Sequence, residues 1–265
     1  MPTSQKIMWI GVAVVAAAII ALAYFLFLAP PAEKAQTVIT DAPAPAAPAS
    51  TPVAAEDDDV DPAIVPLDLD LEQSDAAVRE LVGEEGVPAA LKGWLRQKEL
   101  VRTAVAAVDA VARGESPAPL LPFLAPEEKF QVMEKDGELR LDPKGFRRYD
   151  PLVNAFTAVP DTTWITWYRT LRPTLEKAFR ELGYPGVTFA QRLSQACGQL
   201  LRTPRFTEPI ALERKIMSFA FVDPQLEALN PAQKHMLRLG PGNAERVRAK
   251  VRALAAQLGT GGKKE

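Results

Sequence analysis

Apolar side chains follow three different patterns along this chain. From Ile7 to Leu28 they form an unbroken run of 22 residues that contains no charged side chain. Residues 30–66 show no regular period, and from about Leu67 apolar residues recur at the three- and four-residue spacing of amphipathic helices. A helix rises ~1.5 Å per residue and a hydrocarbon core is ~30 Å thick, so the first run predicts one transmembrane helix.

These patterns divide the chain into four parts. We predict a membrane anchor at 1–29, a disordered linker at 30–66, a helical globular domain at 67–259 and a disordered tail at 260–265. The linker contains 8 Pro and 10 Ala among 37 residues, together with an acidic run from Glu56 to Asp61. Such a segment has little apolar surface to bury, and burial therefore cannot offset the entropy lost on ordering.

The globular part is predicted to be mainly α, a compact multi-helix domain with one small β-hairpin. Its strongest helical pattern begins at Asp161, the expected N-cap, and places Trp164, Trp167 and Leu171 on one buried stripe that continues to Leu182. Pro173 is expected to kink or break that helix. Around Asp136-Gly137 the period changes to two, which predicts the hairpin between Phe130 and Leu141. Residues 210–222 are predicted to be irregular or extended.

Three more helices are predicted near the C-terminus. Asp223-Pro224 and Asn230-Pro231 each pair a capping side chain with a proline suited to the first helical position. The last helix begins at Pro241-Gly242-Asn243. It is predicted to bury an apolar stripe that includes Val247, Val251 and Leu254.

The apolar run resembles an uncleaved signal-anchor more than a secretory signal peptide. It exceeds the 7–15 residues of a signal's apolar region, and no small-residue cleavage site follows it. Lys6 precedes the run, while Lys34 lies among acidic residues after it. This charge bias predicts a single-pass protein of the inner membrane, with its C-terminal domain in the periplasm.

Side chains that commonly carry chemistry are few. The chain has a net charge of −2, one histidine and one cysteine. His235 lies in no zinc-ligand spacing and is predicted to be a surface or partly buried helix residue, and Cys197 is predicted to lie in the core. The sequence predicts no metal and no cofactor.

Carboxylates leave one enzymatic alternative open. A periplasmic glycan hydrolase needs only two acids about 5–10 Å apart. Asp142, Asp150, Asp223 and Glu227 are the candidates. Three of them precede or begin predicted helices beside prolines, where helix capping explains them without catalysis and is the favoured interpretation.

Several short motifs together resemble a known family. In chain order they are Ser74-Asp75, Arg148-Tyr149-Asp150-Pro151, Glu181-Leu182-Gly183-Tyr184-Pro185, Asp223-Pro224-Gln225-Leu226-Glu227, Gln233-Lys234, Leu237-Arg238-Leu239-Gly240-Pro241 and Asn243-Ala244. They are similar to the bacterial domain-of-unknown-function 3014 family, proteobacterial proteins with one N-terminal membrane span. The resemblance covers residues 67–258 and implies no established activity, fold or catalytic residue.

The motifs and the last helix supply the candidate interaction residues. From the motifs we take Arg148, Tyr149, Asp150, Asp223, Glu227, Lys234, Arg238 and Asn243 as an interaction or structural set. Arg246, Arg248, Lys250 and Arg252 flank the apolar stripe of the last helix as a candidate basic patch. They are expected to be the solvated edges of a core helix; the alternative is a surface that binds anionic lipid or an acidic partner.

The sequence therefore predicts a location more sharply than an activity. The leading hypothesis is a non-enzymatic binding or scaffold module that reaches another envelope protein from a membrane anchor. Nucleic acid is not an expected partner. The glycan hydrolase is the alternative, and a lipid-contacting scaffold is a third hypothesis that rests on the basic last helix.

Overall fold

The computed structural model describes residues 64–82, 88–126, 128–207, 209–216 and 218–258, without the side chains of 89–91. The predicted anchor, nearly all of the linker and the tail lie outside these ranges. Within them, no helix combines the length and the apolar character needed to cross a membrane.

The described chain is mainly helical with a small antiparallel sheet. The helices are α1 (Ser74–Val82), α2 (Ala89–Leu95), α3 (Leu100–Ala112), α4 (Asp150–Ala158), α5 (Asp161–Arg180), α6 (Phe189–Leu201), α7 (Pro224–Glu227), α8 (Pro231–Arg238) and α9 (Pro241–Gln257). The strands are β1 (Val132–Lys135), β2 (Glu138–Leu141), β3 (Ala211–Arg214) and β4 (Phe219–Phe221). Short 3₁₀ helices cover Ala118–Leu120, Pro122–Leu124 and Pro143–Tyr149.

Helix α3 is the centre of the helical core. Ten of its 13 residues are buried, and it packs against both α5 and α6. Its sequence is apolar on nearly every side, which is typical of a helix enclosed by other helices. Helix α9 closes the same core through Val247 and Val251, so the predicted apolar stripe of the last helix is confirmed.

Helix α5 carries the predicted aromatic stripe. Trp164, Trp167 and Leu171 are all buried, as the pattern indicates. Of the two expected effects of Pro173, the break is wrong, because α5 continues to Arg180 with the proline inside it, and the kink stays a prediction. A proline removes one backbone hydrogen bond, and the buried face on both sides of Pro173 stabilises the rest of the helix.

The sheet is larger than the single predicted hairpin. Strands β1 and β2 pair around Asp136-Gly137, with Lys135 opposite Glu138, which confirms the hairpin. Strands β3 and β4 extend it to a four-stranded antiparallel sheet in the order β1-β2-β3-β4. The region predicted as irregular or extended, residues 210–222, thus contains strands β3 and β4. Strand β3 joins the sheet by pairing with the edge of β2 that β1 does not occupy. Leu141, Ile210, Leu212 and Phe221 of this region pack with Leu237 in a second, smaller core.

Helix starts are capped in two ways. Asp142, Asp223 and Asn230 accept hydrogen bonds from backbone N–H groups two or three residues later, so those caps are confirmed. Helix α3 is instead capped from α1, because Asp75 accepts from the backbone N–H groups of Glu99 and Leu100.

Two more helix starts depend on other parts of the chain. Glu176 of α5 accepts from the N–H groups of Phe189 and Ala190 at the start of α6. Asp161 was expected to cap α5, but it is the first helical residue and its carboxylate pairs with Lys250.

Candidate functional site

An open cleft of about 420 Å³ lies where the sheet region meets the helical core. Three segments line it. They contribute Pro143, Phe146, Arg147 and Asp150 at the 3₁₀ helix and the start of α4, Phe206, Thr207 and Pro209 before β3, and residues 239–243 with Arg246 at the start of α9. Its walls are largely apolar, formed by Pro143, Phe146, Phe206, Pro209, Leu239 and Pro241.

The turn between α8 and α9 shapes one wall of the cleft. Gly240 has φ +84°, and a Cβ built on it would lie 2.4 Å from the ring of Phe146. Only glycine combines that dihedral with so close an approach. Pro241 then begins α9. Proline fits this position because a backbone N–H there would have no intrahelical acceptor.

Asp150 and Asn243 join the starts of α4 and α9 at the cleft. The Nδ2 group of Asn243 donates to Asp150 Oδ1 at 2.8 Å and to the backbone oxygen of Phe146 at 3.4 Å. The interpretation of Asp150 as a local helix cap is therefore wrong, since Tyr149 is the N-cap residue and has no side-chain cap bond. The two motif residues form a contact between segments 93 positions apart.

Two arginines, Arg147 and Arg246, line the cleft. Arg246 donates from Nη2 to Asn154 Oδ1 at 2.8 Å and to Thr157 Oγ1 at 2.9 Å. Arg147 is exposed. The cleft therefore offers an apolar surface with a positive charge on its lining, while its Asp and Asn groups are already bonded to each other.

Arg148, Tyr149 and His235 are all buried. Arg148 is 6% exposed and donates from Nη2 to the Tyr149 hydroxyl at 2.8 Å. His235 is 2% exposed, so the expectation of a surface or partly buried histidine is wrong. Burial lowers the pKa of His235 well below its ordinary value, and the charges of Arg238 and Arg148 lower it further. The imidazole is therefore neutral at pH 7.

Glu227 and Lys234 connect the short helix α7 to α8. Glu227 accepts from Lys234 Nζ at 2.5 Å and from the backbone N–H of Phe221 at 2.9 Å. Burial raises the pKa of the Glu227 carboxyl, but these hydrogen bonds outweigh that effect and leave the pKa below its ordinary value. Asp223 caps the same short helix.

The four basic residues of α9 do not share one environment. Arg248 is 3% exposed and donates to the backbone oxygen of Thr203 and to Glu245. Lys250 donates to the backbone oxygen of Val159 and pairs with Asp161. The expectation that all four charges remain solvated is wrong for Arg248 and Lys250, because loops from other elements cover them, whereas Arg246 and Arg252 are exposed.

The carboxylates proposed for glycan hydrolysis have structural partners. Asp142 and Asp223 cap helices, Asp150 bonds Asn243, and Glu227 bonds Lys234. A general acid of that chemistry requires a raised pKa, whereas the pKa of Glu227 is lowered. In the described ranges, no group of three or more His, Cys, Asp or Glu side chains could hold a metal ion.

Sequence reasoning overlooked two features of this region. Phe146 and Phe206 line the cleft from segments whose local pattern resembles that of other apolar positions, so no sequence signal distinguishes them. Gly240-Pro241 did carry a signal, since glycine followed by proline marks a turn that requires special backbone geometry. Its packing partner, Phe146, lies 94 residues earlier and could not be identified from the turn.

The comparison with known families gives one result. The model of a family described as "Protein of unknown function (DUF3014)" matches residues 100–255, which is more than half of the chain. No curated protein and no solved structure gives a significant match. The matched range includes the cleft and the Asp150–Asn243 contact. The resemblance carried by the short motifs is confirmed, and the chain belongs to the DUF3014 family.

Proposed function

We propose that this protein is a membrane-tethered, non-enzymatic binding module of the cell envelope, and that the cleft contacts its partner. In this proposal residues 7–28 anchor the chain in the inner membrane and the described domain lies in the periplasm. The partner is another envelope protein. The observation that carries the proposal is an open, largely apolar cleft whose Asp and Asn groups are already paired with each other.

The lining of the cleft favours binding over catalysis. Phe146, Phe206 and Leu239 provide apolar surface of the kind that anchors a protein segment. Arg147 adds an exposed guanidinium, a group enriched at interfaces. The hydrolase alternative needs two converging acids, and no contact among the described carboxylates favours it.

The linker supports the same proposal through its length. Its 37 residues span up to roughly 115 Å at ~3.1 Å per residue if they adopt polyproline II. A tether confines the domain to a small volume near the membrane and raises the effective concentration of the module near a membrane-bound partner.

A cleft-filling substitution tests the site. A Cβ at Gly242 meets no atom within 4 Å, so Gly242→Phe places a ring at the cleft without a clash at Cβ. Gly93→Phe is the matched control, since its Cβ also meets nothing and it does not line the cleft. We expect Gly242→Phe to abolish in-cell crosslinking from a photoreactive residue at exposed position Thr207, and Gly93→Phe to preserve it.

Two outcomes would contradict the proposal. One is equal crosslinking from Thr207 and from exposed Arg252, which lies outside the cleft. The other concerns the anchor: extraction of the full chain by carbonate, an N-terminus after Leu28, or cytoplasmic activity of a C-terminal fusion would each reject the proposed topology.

A further inference from the structure

The side chain of Asn243 connects the two arginines that line the cleft. Its Nδ2 group donates at 3.4 Å to the backbone oxygen of Phe146, the residue before Arg147. Its Oδ1 atom accepts from Arg246 Nη1, also at 3.4 Å. Both arginines therefore line the same part of the cleft, beside Phe146.

Neither arginine has a carboxylate partner among the described residues. Arg147 is exposed and makes no hydrogen bond or ion pair with any of them. Arg246 is exposed too. Its partners are neutral side-chain oxygens of Asn154, Thr157 and Asn243. Neutral acceptors orient a guanidinium without cancelling its charge, so both positive charges remain available to a ligand.

The carboxylates of this region have other partners. Asp150 lines the cleft, and it already accepts an amide hydrogen bond. Glu245 precedes Arg246 in the chain, but its carboxylate accepts from Arg205 and Arg248. The described lining thus carries two arginines against one carboxylate, a net charge of +1.

We infer that the cleft binds a segment of the partner protein that carries both acidic and apolar side chains. Arg147 donates two parallel hydrogen bonds to one carboxylate of that segment, since its guanidinium has no other described partner, and Arg246 adds its positive charge. The apolar side chains pack against Phe146 and Phe206, where their removal from water supplies affinity. The inference rests on the proposed function, because it names the segment that the cleft receives.

Other occupants fit the cleft less well. A basic segment is repelled by the two arginines, and a neutral segment covers their charges without pairing them. The chain's own acidic run, from Glu56 to Asp61, contains one apolar residue, Val60. That run complements the arginines but offers little surface to the apolar walls, so a segment of the partner is the better match.

Fluorescence anisotropy of two peptides, titrated with the full chain in a non-ionic detergent, tests the inference. The acidic probe is Glu-Phe-Glu-Leu-Glu with blocked ends and an uncharged fluorophore. The neutral probe, Gln-Phe-Gln-Leu-Gln, keeps the same apolar residues. We expect the acidic probe to bind saturably and at least about tenfold more tightly than the neutral one at low ionic strength. This difference should shrink as salt is added, because salt screens exposed charges.

Arg147 is the residue to change, because it has no described partner to lose. Arg147→Gln should weaken binding of the acidic probe at least about fivefold and leave the neutral probe unaffected. Arg147→Glu should weaken the acidic probe further, since it places like charges together. Arg252→Gln is the matched control: Arg252 is exposed on α9 and does not line the cleft, so both affinities should stay unchanged.

Several outcomes would overturn the inference, and they are distinct from failure of the proposed function. Equal affinity for the two probes, lost in Gly242→Phe, would keep the cleft as the binding site but reject an acidic partner segment. No saturable binding of the acidic probe, or unchanged binding by Arg147→Glu, would also reject it, whereas the crosslink from Thr207 tests the proposed function by itself. Tighter binding of the acidic probe after deletion of residues 56–61 would assign the cleft to the chain's own acidic run instead of a partner.

Discussion

The backbone of Gly240 packs directly against the ring of Phe146. A Cβ on Gly240 would lie 2.4 Å from Cγ and from Cδ2 of that ring, and the glycine has φ +84°. This contact joins the turn before α9 to the 3₁₀ helix before α4. It therefore sets the relative position of two walls of the cleft.

Replacing Gly240 should be far more disruptive than replacing its neighbour Gly242. We expect Gly240→Ala to lower the free energy of unfolding by about 3 kcal/mol, because strained dihedrals and overpacking each cost roughly 1–3 kcal/mol. Gly242→Ala meets open space in a helix and should leave stability unchanged or raise it by up to about 1 kcal/mol. Urea unfolding followed by tryptophan fluorescence measures both, and equal stability of the two variants would contradict the prediction.

Asp109 connects α3 to the start of α6. Its carboxylate lies 2.9 Å from Arg192 Nε and 3.0 Å from Arg113 Nε, and it accepts from the Tyr184 hydroxyl at 3.1 Å. Asp109→Asn should lower the free energy of unfolding by about 3 kcal/mol, because it leaves the largely buried charge of Arg192 without its counter-ion. Arg113 is more exposed and keeps its pair with Glu115.

Glu213 provides the matched control for that substitution. It pairs with Lys215 at the surface, so Glu213→Gln should change stability by less than about 1 kcal/mol. The same unfolding assay compares the two variants. A loss of similar size in both would show that Asp109 acts as an ordinary surface charge.

Arg248 and Arg252 lie one turn apart on α9 and should respond differently to the same substitution. Arg248→Gln removes hydrogen bonds to Thr203 and Glu245 and should lower the free energy of unfolding by about 2 kcal/mol. Arg252 is exposed, so Arg252→Gln should stay within about 0.5 kcal/mol of wild type. Thermal unfolding at constant ionic strength distinguishes them, and a neutral Arg248→Gln would contradict the buried role.

The free energy of unfolding should decrease when the pH is lowered through the range in which His235 of the unfolded chain takes up a proton. Its folded-state pKa is lowered by burial and by two arginines, so the unfolded chain, with a pKa of about 6.5, binds the proton first. The free energy of unfolding should therefore decrease as pH falls below about 6.5, by up to about 1.4 kcal/mol per pH unit.

His235→Gln should remove that slope. Glu227 and Glu245 have pKa values lowered below the ordinary 4.5, so they contribute stability that is lost only at more acidic pH. Unfolding measured between about pH 5 and 8 therefore isolates the histidine. An unchanged slope in His235→Gln would show that another group titrates in this range.

Cys197 should be chemically inert in the folded protein. It is buried, which confirms its predicted place in the core, and burial raises the pKa of its thiol to about 12. Only the thiolate reacts quickly with alkylating agents, so iodoacetamide at about pH 8 should label the folded chain very slowly. Labelling in urea is the control, and mass spectrometry reads both. Rapid labelling of the folded chain would contradict this burial.

The sequence by itself determined the features that depend on neighbouring residues. Asn230-Pro231 begins α8 because the cap and its N–H partner at Gln233 are three residues apart. Asp136-Gly137 sets the register of the hairpin for the same reason. The stripe through Trp164 and Leu171 also predicted which face of α5 is buried, since helical spacing aligns those residues whatever they pack against.

Only the tertiary structure decided which distant groups meet. Asp150 has the local appearance of a helix cap, yet its carboxylate bonds Asn243, 93 residues away. Arg248 has the local appearance of a surface charge, yet it is buried and donates to the carbonyl of Thr203, 45 residues away. In each case the side chain's environment is set by packing between segments far apart in the chain. Local periodicity carries no information about such partners, so the cleft became visible only in the fold.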